Sequence, residues 1–302
     1  MPASQSRREI FRLLFGATLA SAGLPLISSC SAGPQTGGSD VLGRARQTGS
    51  IRAGFDNQAP WGFVDDNNAV TGGVVELTRK GLTDLGIPAM EGIVTPFESL
   101  IPGLQARRFD LITGGMGIVT KRCDQILFTD PFILARESFV MKKDARYKVS
   151  TYEDVAENPD MKLAVDPTGI ERTYATALGV KEDQLVLAGG LAEMIAAVKG
   201  GRADALSVSS TSINTILSNP QNGDLIASEG ITPVIDGKPQ LGGVGIGFRK
   251  EDRPLRDAFN EQIKKYMQNG ETARIMGPFG FSPSDIEAAA GHTSSELCAT
   301  QS

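Results

Sequence analysis

The sequence is poor in the residues that carry most enzymatic and metal chemistry. Its 302 residues include one histidine, His292, and three cysteines that form no C-x-x-C pair. So little histidine excludes most general acid–base catalysis and most zinc sites. No Walker loop, G-x-S-x-G elbow or G-x-G-x-x-G turn occurs, which leaves phosphate-binding and acyl-transfer chemistry without support. We therefore expect neither a cofactor nor a metal.

Excess positive charge is also missing from this chain. The formal net charge is −5 at pH 7, and no basic cluster is interleaved with aromatic residues. A mildly acidic surface favours solubility and disfavours nucleic acid, so we expect no nucleic-acid partner. The length of the chain, apart from the N-terminal export signal described next, allows one large domain or two lobes.

Long hydrophobic runs are limited to one near the N-terminus. It covers Leu13–Ile27 and is shorter than the roughly 20 residues of a membrane span. The paired arginines of "SRREIFR" precede it and resemble a twin-arginine export signal. "LISSC" resembles a lipobox, in which the cysteine carries a lipid; a chance cysteine beside a signal cut elsewhere is the alternative. We expect an export signal over 1–29, then lipidated Cys30 and a flexible tether over 30–40, anchored on the outer side of the cytoplasmic membrane.

Strand and helix signals alternate through the rest of the chain, as in layered α/β proteins. Two similar β/α units, with the chain passing between them twice, predict two lobes and a cleft, where small ligands bind. Strands are predicted over "SIRAGF", "EGIVTP", "FDLITGG", "ESFVMKK", "MKLAVD", "DQLVLAG", "ADALSVS" and "VGIGFRK". Helices are predicted over "GGVVELTRKGLTDLG", "FESLIPGLQARR", "TYEDVAENP", "PTGIERTYATALG", "GLAEMIAAVKGGR", "STSINTILSN" and, as an amphipathic pair, "EDRPLRDAFNEQIKKYMQNGETARIMGPFGF".

Helix-end signals are clear in the second unit and absent from the C-terminus. Thr151 is a predicted N-cap, supported by Asp154 three residues later. The helix "PTGIERTYATALG" is predicted to open at its Pro-Thr and to end at Gly179. Residues beyond about 283 are polar and predicted to be frayed. A disulfide between Cys123 and Cys298 is possible in an oxidising compartment, but nothing in the sequence specifies it.

The stretch "GGMGIVTKR", residues 114–122, predicts a loop that holds an anion. Its glycines let the backbone come close to a ligand. Arg122, at its end, offers a planar fork of donors that matches a carboxylate or phosphate. An arginine that caps the last carbonyls of a neighbouring helix is the alternative.

Longer motifs show a family resemblance. "IRAGFDNQAPWGFVDDNNAVTGG", "SLIPGLQARRFDLITGGMGIVTKRCDQILFTDPF" and "GGRADALSVSS" resemble the extracellular solute-binding proteins that feed polar amino-acid ABC importers, over roughly residues 48–282. "SLIPGL", "KRCDQILFTDP", "PVIDGKPQ", "FRKEDRPLRDAFN" and "PFGF" resemble the ectoine/hydroxyectoine-binding branch most. The resemblance implies an α/β fold of the type II periplasmic-binding-protein kind, with two Rossmann-like lobes around a central cleft. Lobe 1 would be 41–134 plus 241–302, and lobe 2 would be 137–238.

The same resemblance implies a function. The protein would be a monomer that captures a small zwitterionic carboxylate by closing its lobes and then docks on an ABC permease. Arg122 falls where the family clamps the ligand carboxylate, and Gly115 and Gly117 fall where the backbone approaches the ligand. Thr168 and Gly169, at the start of a helix, match a second carboxylate cradle; an ordinary cap is the alternative.

Two aromatic residues match the walls of the family's binding site. Trp61, the single tryptophan, and Phe97 can each stack on a ligand or attract a delocalised cation. Either is alternatively a core aromatic. In the ectoine branch a third aromatic stands where this sequence has Gly117, so one wall is missing.

The negative charge that would face a cationic ligand group is displaced from its usual positions. Standard amino-acid binders of the family keep an aspartate where this chain has Ser209, which favours a ligand without a free α-ammonium, such as ectoine. The ectoine branch uses an acid where this chain has Gln58. Asp56 or Asp166 is left to supply the charge, although Asp56 is alternatively a cap at a strand end. Glu171 is expected to be a solvated helix residue.

Two other functions remain open on this scaffold. Cyclohexadienyl dehydratases resemble the family and need a desolvated carboxylic acid beside the ligand ring; Asp166 is the candidate here, and no histidine partner exists. A module that signals through a membrane receptor is the other alternative. We expect a binding protein and no enzyme.

Overall fold

The computed structural model describes residues 40–300. The expected signal over 1–29, Cys30 and the tether up to residue 39 lie outside the described residues. Among residues 40–300, no helix combines the length and apolar character that a membrane crossing needs.

The described chain alternates strands and helices, as the sequence predicts. In chain order the strands are β1 (Ser50–Phe55), β2 (Phe63–Val64), β3 (Val70–Thr71), β4 (Ala89–Val94), β5 (Leu111–Ile112), β6 (Leu127–Phe128), β7 (Ile133–Leu134), β8 (Glu137–Lys142), β9 (Leu163–Val165), β10 (Leu185–Leu187), β11 (Ala205–Ser209), β12 (Leu225–Ala227), β13 (Val234–Ile235), β14 (Lys238–Pro239), β15 (Gly243–Val244) and β16 (Gly247–Phe248). The α-helices are α1 (Val41–Thr48), α2 (Gly73–Asp84), α3 (Leu100–Gln105), α4 (Thr120–Cys123), α5 (Tyr152–Ala156), α6 (Ile170–Ala177), α7 (Leu191–Lys199), α8 (Ile213–Ser218), α9 (Arg253–Gln268), α10 (Glu271–Met276), α11 (Pro283–Ala288) and α12 (Ser294–Thr300).

Ten of these strands form two five-stranded sheets. The first has the order β4-β1-β5-β16-β6, and the second has the order β10-β9-β11-β8-β12. In the first sheet β1 is parallel to β4 and β5, and in the second β9 is parallel to β10 and β11. Parallel neighbours need crossover connections, which α2, α3, α6 and α7 supply. The predicted α/β fold class is confirmed.

The second sheet is covered on both faces. Along β8, Phe139 and Met141 pack into one apolar cluster with Tyr152, while Val140 packs into another with Leu206. Side chains of a strand point alternately to opposite faces, so β8 is apolar on both sides and buried along nearly its whole length. Glu137, the first residue of this strand, is therefore an unusual acidic side chain among buried apolar ones.

Helix caps in the second unit follow the prediction at one helix and differ at the next. The Asp154 N–H donates to Thr151 Oγ1 and the Thr151 N–H to Asp154 Oδ2, which closes the predicted capping box on α5. Helix α6 begins later than predicted, at Ile170, because Thr168 is held in a turn by Asp166. Gly179, with φ +92°, follows the end of α6 as predicted.

The C-terminal region is ordered, and the prediction of fraying beyond about residue 283 is wrong. Helices α11 and α12 form there, and Leu297 is buried in an apolar cluster with Phe128. Cys298 forms a disulfide with Cys123, 175 positions earlier. Both contacts involve residues far away in the chain, so local sequence signals could not show them.

Two segments connect the sheets. The chain leaves the first sheet after β6 and enters the second at β8, then returns between β12 and β16. The two passes touch, because the Ala135 N–H donates to the Gly242 carbonyl. Gly242 has φ +59°, and a Cβ there would lie 2.1 Å from the Ala135 carbonyl oxygen. The lobe boundaries, 41–134 plus 241–302 and 137–238, stay a prediction.

Candidate functional site

A cavity of about 510 Å³ lies where strands of both sheets end. Asp56, Thr95 and Gly115 in its wall follow the carboxyl ends of β1, β4 and β5, while Asp166 follows β9 and Ser209 ends β11. In open α/β sheets this edge is where ligands bind, since the loops that leave parallel strands converge there.

The cavity brings together most of the residues that the sequence singled out. Ten of the eleven predicted ligand-binding residues line it: Asp56, Gln58, Trp61, Phe97, Gly115, Gly117, Arg122, Asp166, Gly169 and Ser209. The eleventh, Thr168, lines an adjoining cavity of about 760 Å³ instead. The contact of each residue with a ligand stays a prediction.

Arg122, on α4, is 9% exposed. Its Nη1 donates to the Gly117 carbonyl at 3.0 Å and its Nη2 to the Thr168 carbonyl at 3.1 Å, so it joins loops from the two sheets. Both carbonyls lie outside helices, unlike those of the helix-capping alternative. A guanidinium carries five N–H donors, which leaves donors for a ligand. Burial lowers the pKa of Arg122, and the nearby acid Glu171 opposes the shift.

The two aromatic residues have different surroundings. Trp61 is 4% exposed, and its ring centroid lies 4.9 Å from that of Phe281 in an edge-on contact. Trp61 therefore combines the core packing and the cavity lining that the sequence left as alternatives. Phe97 is half-buried, and its ring centroid lies 5.1 Å from the Arg122 guanidinium carbon.

Two glycines of the loop 114–122 leave space for the side chains of Trp61 and Arg122. A Cβ on Gly115 would lie 2.9 Å from Trp61 Cδ2. A Cβ on Gly117 would lie 3.3 Å from Arg122 Nη1 and 3.5 Å from Ile170 Cδ1. An aromatic side chain at position 117 would thus compete with the present position of the guanidinium.

The acids at the cavity differ in their partners. Asp56 Oδ1 is buried and has no hydrogen-bond partner within residues 40–300. Burial raises the pKa of Asp56 to about 7; nearby Asp166 adds to the rise, while a backbone hydrogen bond and Arg122 oppose it. Asp166 accepts bonds from the Thr168 N–H and hydroxyl and from the Gly190 N–H. Asp166 thus organises two loops, and Asp56 is the better placed of the two to meet a ligand.

Ser209 and Gln58, the two polar positions at which the resemblance implies an acid, are also part of the wall. Ser209 shares a hydrogen bond of 2.7 Å with the Thr211 hydroxyl. Gln58 belongs to the turn that carries Trp61, where its N–H donates to the Gly62 carbonyl at 2.8 Å.

Two glutamates of the wall escaped the prediction. Glu137 is 3% exposed, and its Oε2 has no hydrogen-bond partner in the described part of the chain. Glu171 is half-buried and lines the cavity, so the prediction that it is a solvated helix residue was wrong. Burial raises the pKa of both carboxyl groups, and Glu171 adds to the rise at Glu137.

A signal for Glu137 existed in the sequence. It opens "ESFVMKK", which is otherwise apolar up to its lysines, and acids are almost never fully buried unless something pairs with them. Glu171 lacked such a signal, because the first turn of a helix is an ordinary place for a solvated acid.

The fold and the cavity define a class, the α/β proteins with two sheets and a cavity where the strands of both sheets end. The chain belongs to the bacterial extracellular solute-binding proteins, family 3, whose family model matches residues 51–281. This confirms the resemblance found in the sequence. The match covers both sheets.

Individual relatives agree with the family. The chain is 31% identical over 297 residues to a Sinorhizobium fredii protein named "probable amino-acid ABC transporter periplasmic-binding protein y4tE", covering 98% of this chain and 97% of that one. It is 28% identical to the arginine-binding periplasmic protein of Mannheimia haemolytica, covering 60% of this chain and 70% of that one. The crystal structure of EhuB in complex with hydroxyectoine aligns with a TM-score of 0.77 and 29% identity, covering 86% of this chain and 98% of that one.

Proposed function

We propose that this protein is the solute-binding subunit of an ABC importer, and that it captures a small carboxylate that also carries a cationic group. The observation that carries the proposal is the buried Arg122 guanidinium with donors left for a ligand, in the same cavity as the unpartnered carboxylate oxygen of Asp56. A guanidinium matches a carboxylate, and an ionised carboxylate matches an ammonium or amidinium. Hydroxyectoine and arginine, named for two similar proteins, each combine both kinds of group.

Capture would proceed by closure of the two proposed lobes on the solute. Arg122 already reaches the Thr168 carbonyl from the other sheet, so the carboxylate would bind beside a contact that spans both lobes. A ligand that contacts both lobes favours the closed form by its differential affinity for that form. The closed protein would then dock on the permease as a monomer.

The location follows from the N-terminal sequence. We propose export by the twin-arginine route, cleavage before Cys30 and lipidation of this cysteine, with residues 30–40 as a tether to the outer side of the cytoplasmic membrane. The family's extracellular character supports export.

The single tryptophan provides the test. Trp61 lines the cavity, so its fluorescence in the purified protein is titrated with ectoine, hydroxyectoine, L-arginine and glycine betaine. We expect a saturable change with at least one of them. Silence with all four would count against capture of a cationic carboxylate.

An Arg122→Ala variant tests the carboxylate clamp. Loss of one partner of a buried charge pair costs roughly 2–5 kcal/mol, so we expect the affinity for the responding solute to fall at least about 30-fold. Arg274→Ala is the matched control, because the Arg274 side chain is 70% exposed and its removal should leave binding unchanged. Equal affinities of the parent protein, Arg122→Ala and Arg274→Ala would refute the proposal that Arg122 binds the carboxylate.

One observation favours the alternative of a dehydratase. It needs a carboxyl group with a raised pKa beside the ligand, and Asp56 meets that need, whereas the carboxylate of Asp166, the residue considered from sequence, is held by three donors. We expect binding without chemistry. Mass spectrometry of the solute after incubation with excess protein should recover it unchanged, and a product smaller by water or carbon dioxide would favour the enzyme.

A further inference from the structure

Glu137 and Ser209 are opposite each other in the second sheet. They are paired in the antiparallel register of β8 and β11, and both line the cavity. Directly paired residues point to the same face with Cβ atoms about 4.5–5.5 Å apart. An acid at position 137 can thus serve nearly the same volume as an acid at position 209.

The burial of the Glu137 carboxyl group is only partly compensated within the described chain, where the Tyr152 hydroxyl opposes the rise in its pKa that burial and Glu171 cause. Glu137 is 3% exposed, and its Oε2 lacks a hydrogen-bond partner among residues 40–300. Burying an ionised acid without a partner is expensive, and such a group either stays neutral or awaits a counter-ion. A buried, unsatisfied acid in a cavity wall is typical of a functional position.

We propose that Glu137, together with Asp56, supplies negative charge for the ligand's cationic group, and that Glu137 releases a proton when that group binds. This inference rests on the proposed function, since it concerns the solute that Arg122 clamps. It makes Glu137 a ligand-binding residue that reaches the site from the neighbouring strand.

The surroundings of Glu137 are consistent with a neutral acid in the empty protein. Glu171 and Tyr174 on α6 and Tyr152 on α5 are the titratable groups that act on it, and none of them is a cation. The Tyr174 hydroxyl is itself buried without a partner within the described residues, while the Tyr152 hydroxyl bonds the Ser207 hydroxyl at 2.7 Å. An arriving ammonium or amidinium would favour the ionised carboxylate, and the proton would leave to solvent.

The balance of charge in the wall also favours a cation. The lining side chains include a single base, Arg122, and six acids: Asp56, Glu98, Glu137, Asp166, Glu171 and Glu193. The ligand carboxylate would occupy the one base, so a bare anion has no second positive partner there.

The first test uses affinity. Glu137→Gln keeps the shape and removes the charge, and Glu229→Gln is the control because Glu229 is exposed and lies outside the cavity wall. Titrations of Trp61 fluorescence use L-arginine, ectoine and glutarate, which has carboxylates and no cation. We expect Glu137→Gln to weaken binding of the cationic probes about tenfold or more and the control to match the parent protein.

A second variant guards against a purely structural effect. Ser209→Asp in the Glu137→Gln background returns a charge to the paired position, and we expect it to recover most of the lost affinity. Calorimetric titrations in phosphate and in Tris, whose ionisation enthalpies differ, count protons released on binding. The count should fall in Glu137→Gln and stay unchanged in Glu229→Gln.

The outcomes separate this inference from the function on which it rests. If arginine or ectoine binds and Glu137→Gln matches the parent in affinity and proton release, the inference fails while solute capture stands. Tighter binding of glutarate than of both cationic probes would also overturn the inference and leave carboxylate capture intact. Absence of binding by all three probes would refute the proposed function and the inference with it.

Discussion

Three carboxyl groups at the cavity illustrate how surroundings decide the role of a residue. Asp166 accepts three hydrogen bonds and shapes the loops around it. Asp56 and Glu137 each keep one buried oxygen without a partner in the described region, and burial raises the pKa of both. Buried carboxylates without a partner, such as those of Asp56 and Glu137, destabilise the protein without its ligand, and a bound cation would stabilise them most.

Replacement of Asp56 by Asn should therefore stabilise the empty protein at high pH. The folded pKa of Asp56, about 7, exceeds its ordinary value of 3.8, so the contribution of this group to stability is complete below pH 3.8 and is lost as the pH rises through 7. We expect Asp56→Asn to be more stable than the parent at pH 8 by up to about 4 kcal/mol and nearly equal to it near pH 4.

Urea unfolding at pH 4, 6 and 8 measures this difference. Asp160→Asn is the control, because Asp160 is exposed, and it should follow the parent at every pH. A constant offset between Asp56→Asn and the parent across the pH range would contradict the assigned burial of the carboxylate.

Most of the candidate site residues could be predicted because they lie in loops with characteristic motifs. Arg122 and its glycines form one short stretch, and Trp61 is the single tryptophan. Glu137 could not be predicted in the same way, because its relation to Ser209 exists only through the pairing of β8 with β11. No spacing along the chain expresses that pairing.

At the scale of elements, α4 is short but fixed from several sides. It has four residues, too few to be stable alone. The Thr120 hydroxyl donates to the Cys298 carbonyl at 2.6 Å, and Lys250 Nζ donates to the Cys123 carbonyl. The disulfide between Cys123 and Cys298 adds a covalent link to α12. The position of Arg122 thus depends on the C-terminal helix.

Removal of the disulfide should lower the free energy of unfolding. We expect Cys298→Ser to cost about 2–4 kcal/mol, since the bond closes a long loop and restricts the unfolded chain. Guanidinium unfolding of the purified protein measures the loss. Cys123→Ser should cost as much as Cys298→Ser, and the double variant should lose nothing further; additive losses would mean that the thiols act separately.

Elements with strong local patterns could be predicted, and the exceptions have a physical reason. Strand β1 and helix α2 match their predicted stretches closely, because apolar periodicity and flanking glycines are local signals. Helix α12 carries one fully buried apolar residue, Leu297, and otherwise depends on the disulfide and its neighbours. Its stability is therefore tertiary, and sequence periodicity does not record it.

At the scale of the whole molecule, the two connecting segments meet in a close backbone contact. A Cβ on Gly242 would lie 2.1 Å from the Ala135 carbonyl oxygen, so Gly242→Ala should combine a left-handed φ with a backbone clash. We expect it to destabilise the protein by more than the roughly 1–2 kcal/mol of the left-handed conformation alone, and to weaken solute binding because Gly242 lines the cavity.

Gly237→Ala is the matched control for this prediction. Gly237 has φ +73°, and a Cβ there would meet no atom within 4 Å, so alanine carries the conformational cost without the clash. Thermal unfolding of both variants gives the difference. Equal losses in the two variants would show that the close approach of the connecting segments contributes nothing.

The link between α12 and α4 has a practical consequence for measuring the solute in living cells. The Cα atoms of Cys123 and Cys298 are 5.7 Å apart, so α12 lies next to the helix that presents Arg122. A fluorescent reporter domain joined to the chain after α12 would therefore begin close to Arg122, the proposed carboxylate clamp. This position is a ready attachment point for a genetically encoded biosensor.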